Sequence, residues 1–252
     1  MTVKIVIDAG HGYNTPGKRT PDGSMREWEF NAATAEHVKR LLSKYEGVQV
    51  LFTHDPTGKV DVSLKARTDK ANRWGADAFV SIHANAHGSG TEWTNAHGIE
   101  TYIHPNASAT SKALAQKIQG AMIRFTGRKD RGVRTANFQV LRETKMPAVL
   151  VECGFMTNKE EAKLLKDEGY RARCASAIVE ALVAQFKLKP KQAPAATKPT
   201  TTTKPTTPTK PTGNTLFKVQ VGAFANRDNA ERLKKELESK GYEVIIVEEV
   251  RK

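Results

Sequence analysis

A segment rich in proline, threonine and lysine divides the sequence into two parts of unequal length. Between residues 190 and 212, six prolines stand among threonines and lysines, and the only other apolar residues are alanines. Such a segment cannot bury a hydrophobic core and is typical of extended, partly polyproline II chain. We therefore expect a domain at 1–186, a disordered linker at 187–214 and a small unit at 215–252.

The positive charge of the chain is concentrated in this linker. The formal net charge is +13, from 40 Lys and Arg against 27 Asp and Glu, and residues 187–212 contribute +6 without any acidic residue. Aromatic residues do not alternate with these lysines, as they do in proteins that bind single-stranded nucleic acid. The charge fits a diffuse attraction to a polyanion, for which nucleic acid is one candidate and anionic cell-wall polymers are another. No motif that reads nucleic acid accompanies the charge, so we expect no nucleic-acid partner.

The first 186 residues alternate between strand and helix patterns. The predicted strands are 4–8, 48–54, 78–83, 99–104 and 148–153, and the predicted helices are 25–45, 63–74, 111–124 and 171–186. This alternation predicts an α/β fold with a twisted, mostly parallel sheet flanked by helices. In such sheets, active sites lie beyond the carboxyl ends of the strands. That rule points here to the loops after Asp8, His83 and Val151.

The remaining features concern the C-terminal unit and targeting. A strand at 217–224, a helix at 226–240 and a strand at 242–250 predict one small βαβ unit, which is too short to bury a core of its own. No apolar run approaches the roughly 18 residues of a membrane span. The apolar run before Asp8 is also too short for a secretory signal. We therefore expect no membrane span and synthesis in the cytoplasm without a signal peptide.

Two histidines fall where the sheet rule places an active site. His11 follows the first strand between Gly10 and Gly12, and His83 ends the third strand. Two histidines and one carboxylate, with a fourth position open, form a catalytic zinc site. Each histidine is also compatible with a simple hydrogen-bonded residue at a strand end, and spacing alone leaves the two interpretations open.

Glu27 is the candidate carboxylate. On a helical projection Glu27 falls on the inward apolar stripe, whereas Glu29 falls outside it. The run Ser24-Met25-Arg26-Glu27 also reads as a capping box, in which Glu27 folds back on the start of the helix. Both interpretations place Glu27 at the N-terminal end of the helix, so the pattern does not choose between them.

Glu152 is the second acidic candidate, because it stands at the end of an apolar strand. Burying a charge is costly, so a carboxylate at this position indicates a nearby cation or metal, or a raised pKa suited to proton transfer. Side chains alternate along a strand. We therefore expect Cys153 to point away from Glu152 into the core, and Cys174 to be a core residue of the last helix. Two cysteines cannot form a disulfide framework.

Four segments together resemble a known enzyme family. They are Val6-Ile7-Asp8-Ala9-Gly10-His11-Gly12, Glu27 with Asn31, Val80-Ser81-Ile82-His83-Ala84-Asn85, and Val151-Glu152-Cys153-Gly154-Phe155 with Asn158. In this order they resemble zinc-dependent N-acetylmuramoyl-L-alanine amidases, of the phage endolysin and sporulation autolysin type, over essentially all of 1–186. The resemblance implies hydrolysis of the peptidoglycan amide bond between N-acetylmuramic acid and the L-alanine of the stem peptide. The alternative is a zinc peptidase that cuts within the stem peptide.

The resemblance also implies roles for individual residues. His11, Glu27 and His83 would bind one Zn²⁺, and Glu152 would be the catalytic general base and acid; for Glu27 this favours the ligand over the cap. Arg67 would have a structural or substrate-orienting role.

Three of the remaining histidines lie near the motifs or in the polar loop beside them. His54 stands where many members have an arginine after a threonine, which concerns secondary contacts only. His87 and His97 are further metal candidates in a polar loop, where solvated residues are the simpler explanation.

The C-terminal unit resembles half of a sporulation-related repeat (SPOR) domain, a family that binds peptidoglycan glycan strands. The matching residues are 217–224 and the helix from Asn226. A complete domain has two βαβ units, so we expect two chains to pair through this repeat as a homodimer. Without a signal peptide, the enzyme would reach the wall after release by a phage holin or by mother-cell lysis.

Overall fold

The computed structural model describes residues 2–191, 227–239 and 244–248. The chain divides into two compact units, Met1–Ala196 and Thr197–Lys252. The strands of the first unit are β1 (Val3–Ala9), β2 (Val48–Phe52), β3 (Ala78–Asn85), β4 (Ile99–Ile103), β5 (Asp130–Thr135) and β6 (Ala148–Phe155). Its helices are α1 (Glu27–Leu42), α2 (Leu64–Trp74), α3 (Ala109–Thr126), α4 (Gln139–Arg142), α5 (Lys159–Lys166) and α6 (Glu168–Phe186).

All nine elements predicted for this unit are present, with bounds shifted by a few residues. Three elements were not predicted: β5, α4 and α5. The β5 sequence is mostly polar and lacks the alternation of a half-buried strand. Helix α4 has only four residues. Helix α5 is short, and it begins at the side chain of Asn158, which accepts hydrogen bonds from the N–H groups of Glu160 and Glu161.

The six strands form one sheet in the order β2-β1-β3-β6-β4-β5. Strands β2, β1, β3 and β6 are mutually parallel, β4 runs antiparallel to β6, and β5 is parallel to β4. The predicted α/β class with a mostly parallel sheet is confirmed. Because β1, β3 and β6 are neighbours with the same direction, their carboxyl ends meet at one edge of the sheet.

Hydrophobic cores lie on both faces of the sheet. The larger core packs α1, α3 and α6 against one face, and the smaller core packs α2 and α4 against the other. Val151 and Cys153 belong to the larger core, whereas Leu150 belongs to the smaller one. Glu152 alternates with Val151 and Cys153 and therefore faces the α2 and α4 side. Cys153 and Cys174 are both free and buried in the larger core, as expected.

In the second unit the structure describes helix α7 (Arg227–Ser239), which matches the predicted helix. The predicted strand at 217–224 and most of the predicted linker lie outside the described residues. Residues 244–248, from the predicted strand at 242–250, belong to no strand in the described part of the chain. Among the described residues, no helix combines the length and the apolar composition needed to cross a membrane.

Candidate metal and catalytic site

Three of the candidate residues meet at the carboxyl ends of β1 and β3. The ligand atoms of His11, Glu27 and His83 all lie within 4.8 Å of one another. The Oε2 atom of Glu27 is 3.3 Å from Nε2 of His11, and its Oε1 atom is 2.9 Å from Nδ1 of His83. Among the residues that the structure describes, no other group of His, Cys, Asp and Glu side chains converges in this way. The arrangement can hold a metal ion.

The glycine before His11 allows the two histidines to approach each other. The rings of His11 and His83 lie edge to face, with centroids 5.0 Å apart. A Cβ atom on Gly10 would lie only 2.1 Å from Cε1 of His83. His11 itself has φ 65°, a left-handed conformation that turns the chain sharply out of β1. A residue without a side chain at position 10 is therefore required by the packing of the His83 ring.

Glu27 is the first residue of α1, and its carboxylate turns into the site. The side chain is buried, and its Oε1 atom accepts hydrogen bonds from the N–H of Ala84, at 3.2 Å, and from Nδ2 of Asn31, at 3.3 Å. Burial raises the pKa of Glu27, but hydrogen bonds and charge from His11 and His83 outweigh burial and hold its pKa below the usual range. The carboxylate is therefore anionic, as a metal ligand must be.

The capping-box interpretation of Glu27 is wrong. The carboxylate that folds back on the start of α1 belongs to Glu29, whose Oε2 accepts the N–H of Arg26 at 2.6 Å. Arg26, rather than Ser24, is the residue before the first helical turn. The box is shifted by two residues, which leaves the Glu27 side chain available to the histidines.

Glu152 lies beside this cluster on the neighbouring strand. In the sheet register, Glu152 on β6 is paired with His83 on β3. Its Oε2 atom is buried and has no hydrogen-bond partner in the described part of the chain. Burial raises the pKa of Glu152 well above the usual value, and the negative charge of Glu27 raises it further. An unpaired buried acceptor next to His83 indicates a position where a ligand makes the missing contact.

A buried hydrogen-bond chain stands behind His83. The hydroxyl of Ser81 donates to Oδ2 of Asp8 at 2.7 Å, so its oxygen is free to accept from Nε2 of His83, which lies 3.2 Å away. Arg67 and Thr53 both donate to Oδ1 of Asp8, each at 2.7 Å. Burial raises the pKa of Asp8, but Arg67 and the hydrogen bonds lower it overall. In the tautomer with its proton on Nε2, His83 donates to Ser81 and turns its Nδ1 lone pair toward Glu27 and the site.

Arg67 also fixes the loop that carries His11. Its Nη1 donates to the carbonyl oxygen of Ala9 at 2.6 Å, and its Nη2 donates to that of His11 at 2.9 Å. The guanidinium is buried and does not belong to the His11, Glu27 and His83 cluster. We therefore describe Arg67 as a residue that holds the backbone around the site.

Comparison with known proteins gives the family. The family model described as N-acetylmuramoyl-L-alanine amidase matches residues 5–184. The chain belongs to this family. The amidase is 35% identical over 246 residues to N-acetylmuramoyl-L-alanine amidase CwlM of Bacillus licheniformis, covering 97% of this chain and 85% of the relative. It is 36% identical to a sporulation-specific N-acetylmuramoyl-L-alanine amidase of Bacillus subtilis, covering 97% of this chain and 84% of the relative.

Solved structures agree with this assignment. The fold is similar to an N-acetylmuramoyl-L-alanine amidase from Clostridium difficile 630, with TM-score 0.69 and 36% identity over 74% of this chain and 97% of the other. It is also similar to the catalytic domain of CwlV from Bacillus (Paenibacillus) polymyxa, with TM-score 0.67 and 35% identity over 75% of this chain and all of the other. The SPOR domain model matches residues 213–252.

These comparisons decide between the two hydrolases that the sequence left open. The enzyme is an N-acetylmuramoyl-L-alanine amidase, which hydrolyses the bond between N-acetylmuramic acid and the L-alanine of the peptidoglycan stem peptide. Its substrate is therefore the bacterial cell wall, and the relatives named above are amidases rather than peptidases.

The histidines outside the cluster have different environments in the amidase. His54, whose importance the sequence did not reveal, is buried, and its Nδ1 accepts the N–H of Ala9 at 3.0 Å. Burial lowers the pKa of His54 to about 4, so the ring is neutral and supports the end of β1. His87 is exposed, and Nδ1 of His97 pairs with the carbonyl oxygen of Asn95 at 2.8 Å. Neither belongs to the metal-ligand group.

Proposed function

We propose that the amidase works with one Zn²⁺ ion bound by His11, Glu27 and His83. The observation that carries the proposal is the convergence of two imidazoles and one anionic carboxylate within 4.8 Å. Catalytic zinc sites use three protein ligands of this kind and leave a fourth position open for water or substrate. Glu152 is paired with His83 across the sheet, and its buried Oε2, which has no partner among the described residues, fits a site that receives a ligand.

Glu152 is the residue that moves protons. When bound, zinc supplies a Lewis acid that activates water and polarises a carbonyl group at neutral pH. Glu152 takes the proton of the attacking water and passes it to the amide nitrogen of the departing L-alanine. Burial raises the pKa of Glu152, which makes its carboxylate a stronger base than an exposed one. Proton transfer by a positioned side chain contributes roughly 10²–10⁴-fold to the rate.

The other buried residues hold these groups in place. Asn31 donates to both Glu27 and the carbonyl oxygen of Gly10, which ties α1 to the loop after β1. Ser81 and Asp8 fix the ring of His83. Because zinc is bound by neutral imidazole, the proton held on Nε2 of His83 favours binding through Nδ1.

Product analysis on purified peptidoglycan tests this proposal. The native enzyme is expected to release new amino-terminal alanine, and chelation is expected to stop the reaction until zinc is restored. Glu152→Gln should retain zinc but lose at least 10²-fold in turnover, on the order expected for a general base. His11→Ala and His83→Ala should lose zinc itself. The exposed Glu143→Gln is the control and should behave like the native enzyme. Normal turnover by Glu152→Gln would contradict the assignment.

We also infer that the chain is organised as a catalytic domain at 1–186, a linker at 187–214 and a peptidoglycan-binding repeat at 215–252. The two family matches, at 5–184 and 213–252, support this division. The linker carries a net charge of +6, which suits binding of anionic wall polymers. Pelleting with intact walls, and with walls stripped of anionic polymers, at low and high salt measures this contribution; equal binding to both walls would exclude it.

We propose further that the repeat pairs two chains. Ile245 and Val247 alternate along the chain, and 76% and 63% of their surfaces are exposed, which leaves apolar surface for a second copy to cover. Sedimentation of the full chain and of residues 1–186 tests the pairing, and two monomers would contradict it.

We also propose that the enzyme is released to the wall by holin action or by mother-cell lysis. Relatives named as an endolysin of Bacillus phage SPP1 and as a sporulation-specific amidase support this route.

A further inference from the structure

The strands beyond Glu152 carry charged side chains that the proposed reaction does not use. Glu100 on β4 is paired with Glu152 on β6, and Arg134 on β5 is paired with Tyr102 on β4. Side chains of paired residues on neighbouring strands lie on the same face of a sheet. Glu100, Tyr102 and Arg134 therefore lie on the same face of the sheet as Glu152. They stand on the strands that follow β6 in the sheet, whereas His83 is on β3, the neighbour on the opposite edge of β6.

The charge of Glu100 is neutralised within the protein. Its buried carboxylate accepts hydrogen bonds from Nε of Arg131 and from the hydroxyl of Tyr102. Arg131 is also stacked on Phe155, with its Cζ 4.9 Å from the ring centroid. One guanidinium and one carboxylate thus form a satisfied, partly buried pair next to the reaction centre.

Arg134 adds a positive charge that this pair does not balance. Its Nε lies 3.6 Å from Oε2 of Glu100 and donates to the carbonyl oxygen of Arg131 at 3.3 Å. In the part of the chain that the structure describes, neither terminal nitrogen of Arg134 has a hydrogen-bond partner, and 48% of the side chain is exposed. Two parallel donors at the end of a guanidinium match the geometry of a carboxylate.

We propose that Arg134 binds a free carboxylate on the stem-peptide residue that follows L-alanine, and that it gives the amidase a preference for acidic over amidated stem peptides. The proposal rests on the proposed position of Glu152 at the scissile bond. Strands are spaced about 4.8 Å apart, so β5 lies about 10 Å from β6 across the sheet. Arg134 is in register with Tyr102 and Leu150, two residues before Glu152, which adds about 7 Å along the strands. An extended peptide advances about 3.4 Å per residue. The long side chain of Arg134 spans this offset, because its Nε already lies 3.6 Å from Oε2 of Glu100, the residue paired with Glu152.

A pair of substrates isolates this contact. They are muramyl tripeptides that differ only at the second residue, which carries either a free α-carboxylate or an α-carboxamide. The native enzyme is expected to have a KM about tenfold lower for the carboxylate, the scale of a partly exposed charge-assisted contact. Arg134→Gln should raise the KM for the carboxylate to that for the carboxamide. The kcat values should not change, because the contact is made equally in substrate and transition state.

Arg124→Gln is the matched control. Arg124 lies on α3, which packs on the other face of the sheet, and it pairs with Glu180 at the surface. Its replacement removes the same charge and should leave both KM values unchanged. Equal KM values for the two substrates in the native enzyme, or an equal KM change for both in Arg134→Gln, would overturn the proposal. Glu152→Gln separates this result from the proposed function, because it lowers kcat on both substrates whatever Arg134 binds.

Discussion

Replacing Ser81 by alanine tests whether the buried chain behind His83 supports metal binding. The substitution removes the hydroxyl that lies 3.2 Å from Nε2 of His83 and that donates to Asp8 at 2.7 Å. Ser81 is fully buried, so water does not replace the lost contacts. Loss of a partner that orients a metal-binding histidine typically lowers metal affinity by about 10–100-fold. Loss of the bond to the Asp8 carboxylate should destabilise the metal-free protein by about 1.5–3 kcal/mol.

Thr53→Val separates these two effects. The hydroxyl of Thr53 also donates to Asp8 at 2.7 Å, but the contact is with Oδ1 and does not involve His83. Thr53 is as deeply buried as Ser81, so the two variants should lose similar stability in thermal unfolding of the metal-free protein. Only Ser81→Ala should lose zinc affinity in a competition titration with a coloured chelator. Equal zinc affinity in Ser81→Ala and Thr53→Val would refute the orienting role of Ser81.

Two further predictions concern residues that support the site. Gly10→Ala should displace His83, because the new Cβ would lie 2.1 Å from the ring, and elemental analysis after gel filtration should find little bound zinc; full retention of zinc would contradict the packing argument. His54 should make the protein less stable as pH falls from about 6.5 to about 4, because its folded pKa is about 4 and the unfolded chain takes up the proton first. The loss should reach at most about 3 kcal/mol, and His54→Asn should flatten this part of the pH–stability curve measured by denaturant unfolding.

The arrangement of His11, Glu27 and His83 could be predicted from the sequence, because each residue lies at the end of a strand or helix whose pattern is clear. The histidines follow apolar strands, and neighbouring parallel strands bring their carboxyl ends together. Helical periodicity separated Glu27 from Glu29, since only Glu27 falls on the inward stripe. The same pattern could not exclude a capping box, because that choice depends on which residue precedes the first turn of α1. In the structure this residue is Arg26.

The residues that support the site could not be predicted from the sequence in the same way. Asp8 and Ser81 meet because β1 and β3 are neighbours in a particular register. His54, just after β2 on the other side of β1, reaches the N–H of Ala9. Alternation along a strand indicates which of its side chains share a face, but it gives neither the order of the strands in the sheet nor their register. In the sequence Asp8 is an ordinary residue at the end of a strand. Its role follows only from the structure, where Arg67, Thr53 and Ser81 donate hydrogen bonds to it.

Strand β5 was missed for a reason that bears on function. A half-buried strand is identified by apolar residues at alternate positions, and the run from Asp130 to Thr135 has only one large apolar residue. Its polar residues are engaged beside Glu152: Arg131 neutralises Glu100, and Arg134 lies on the same face with terminal nitrogens that have no hydrogen-bond partner among the described residues. Local patterns that contradict the fold tend to occur where function requires particular residues. The unusual composition of β5 is therefore itself an argument that this edge of the sheet contacts the substrate.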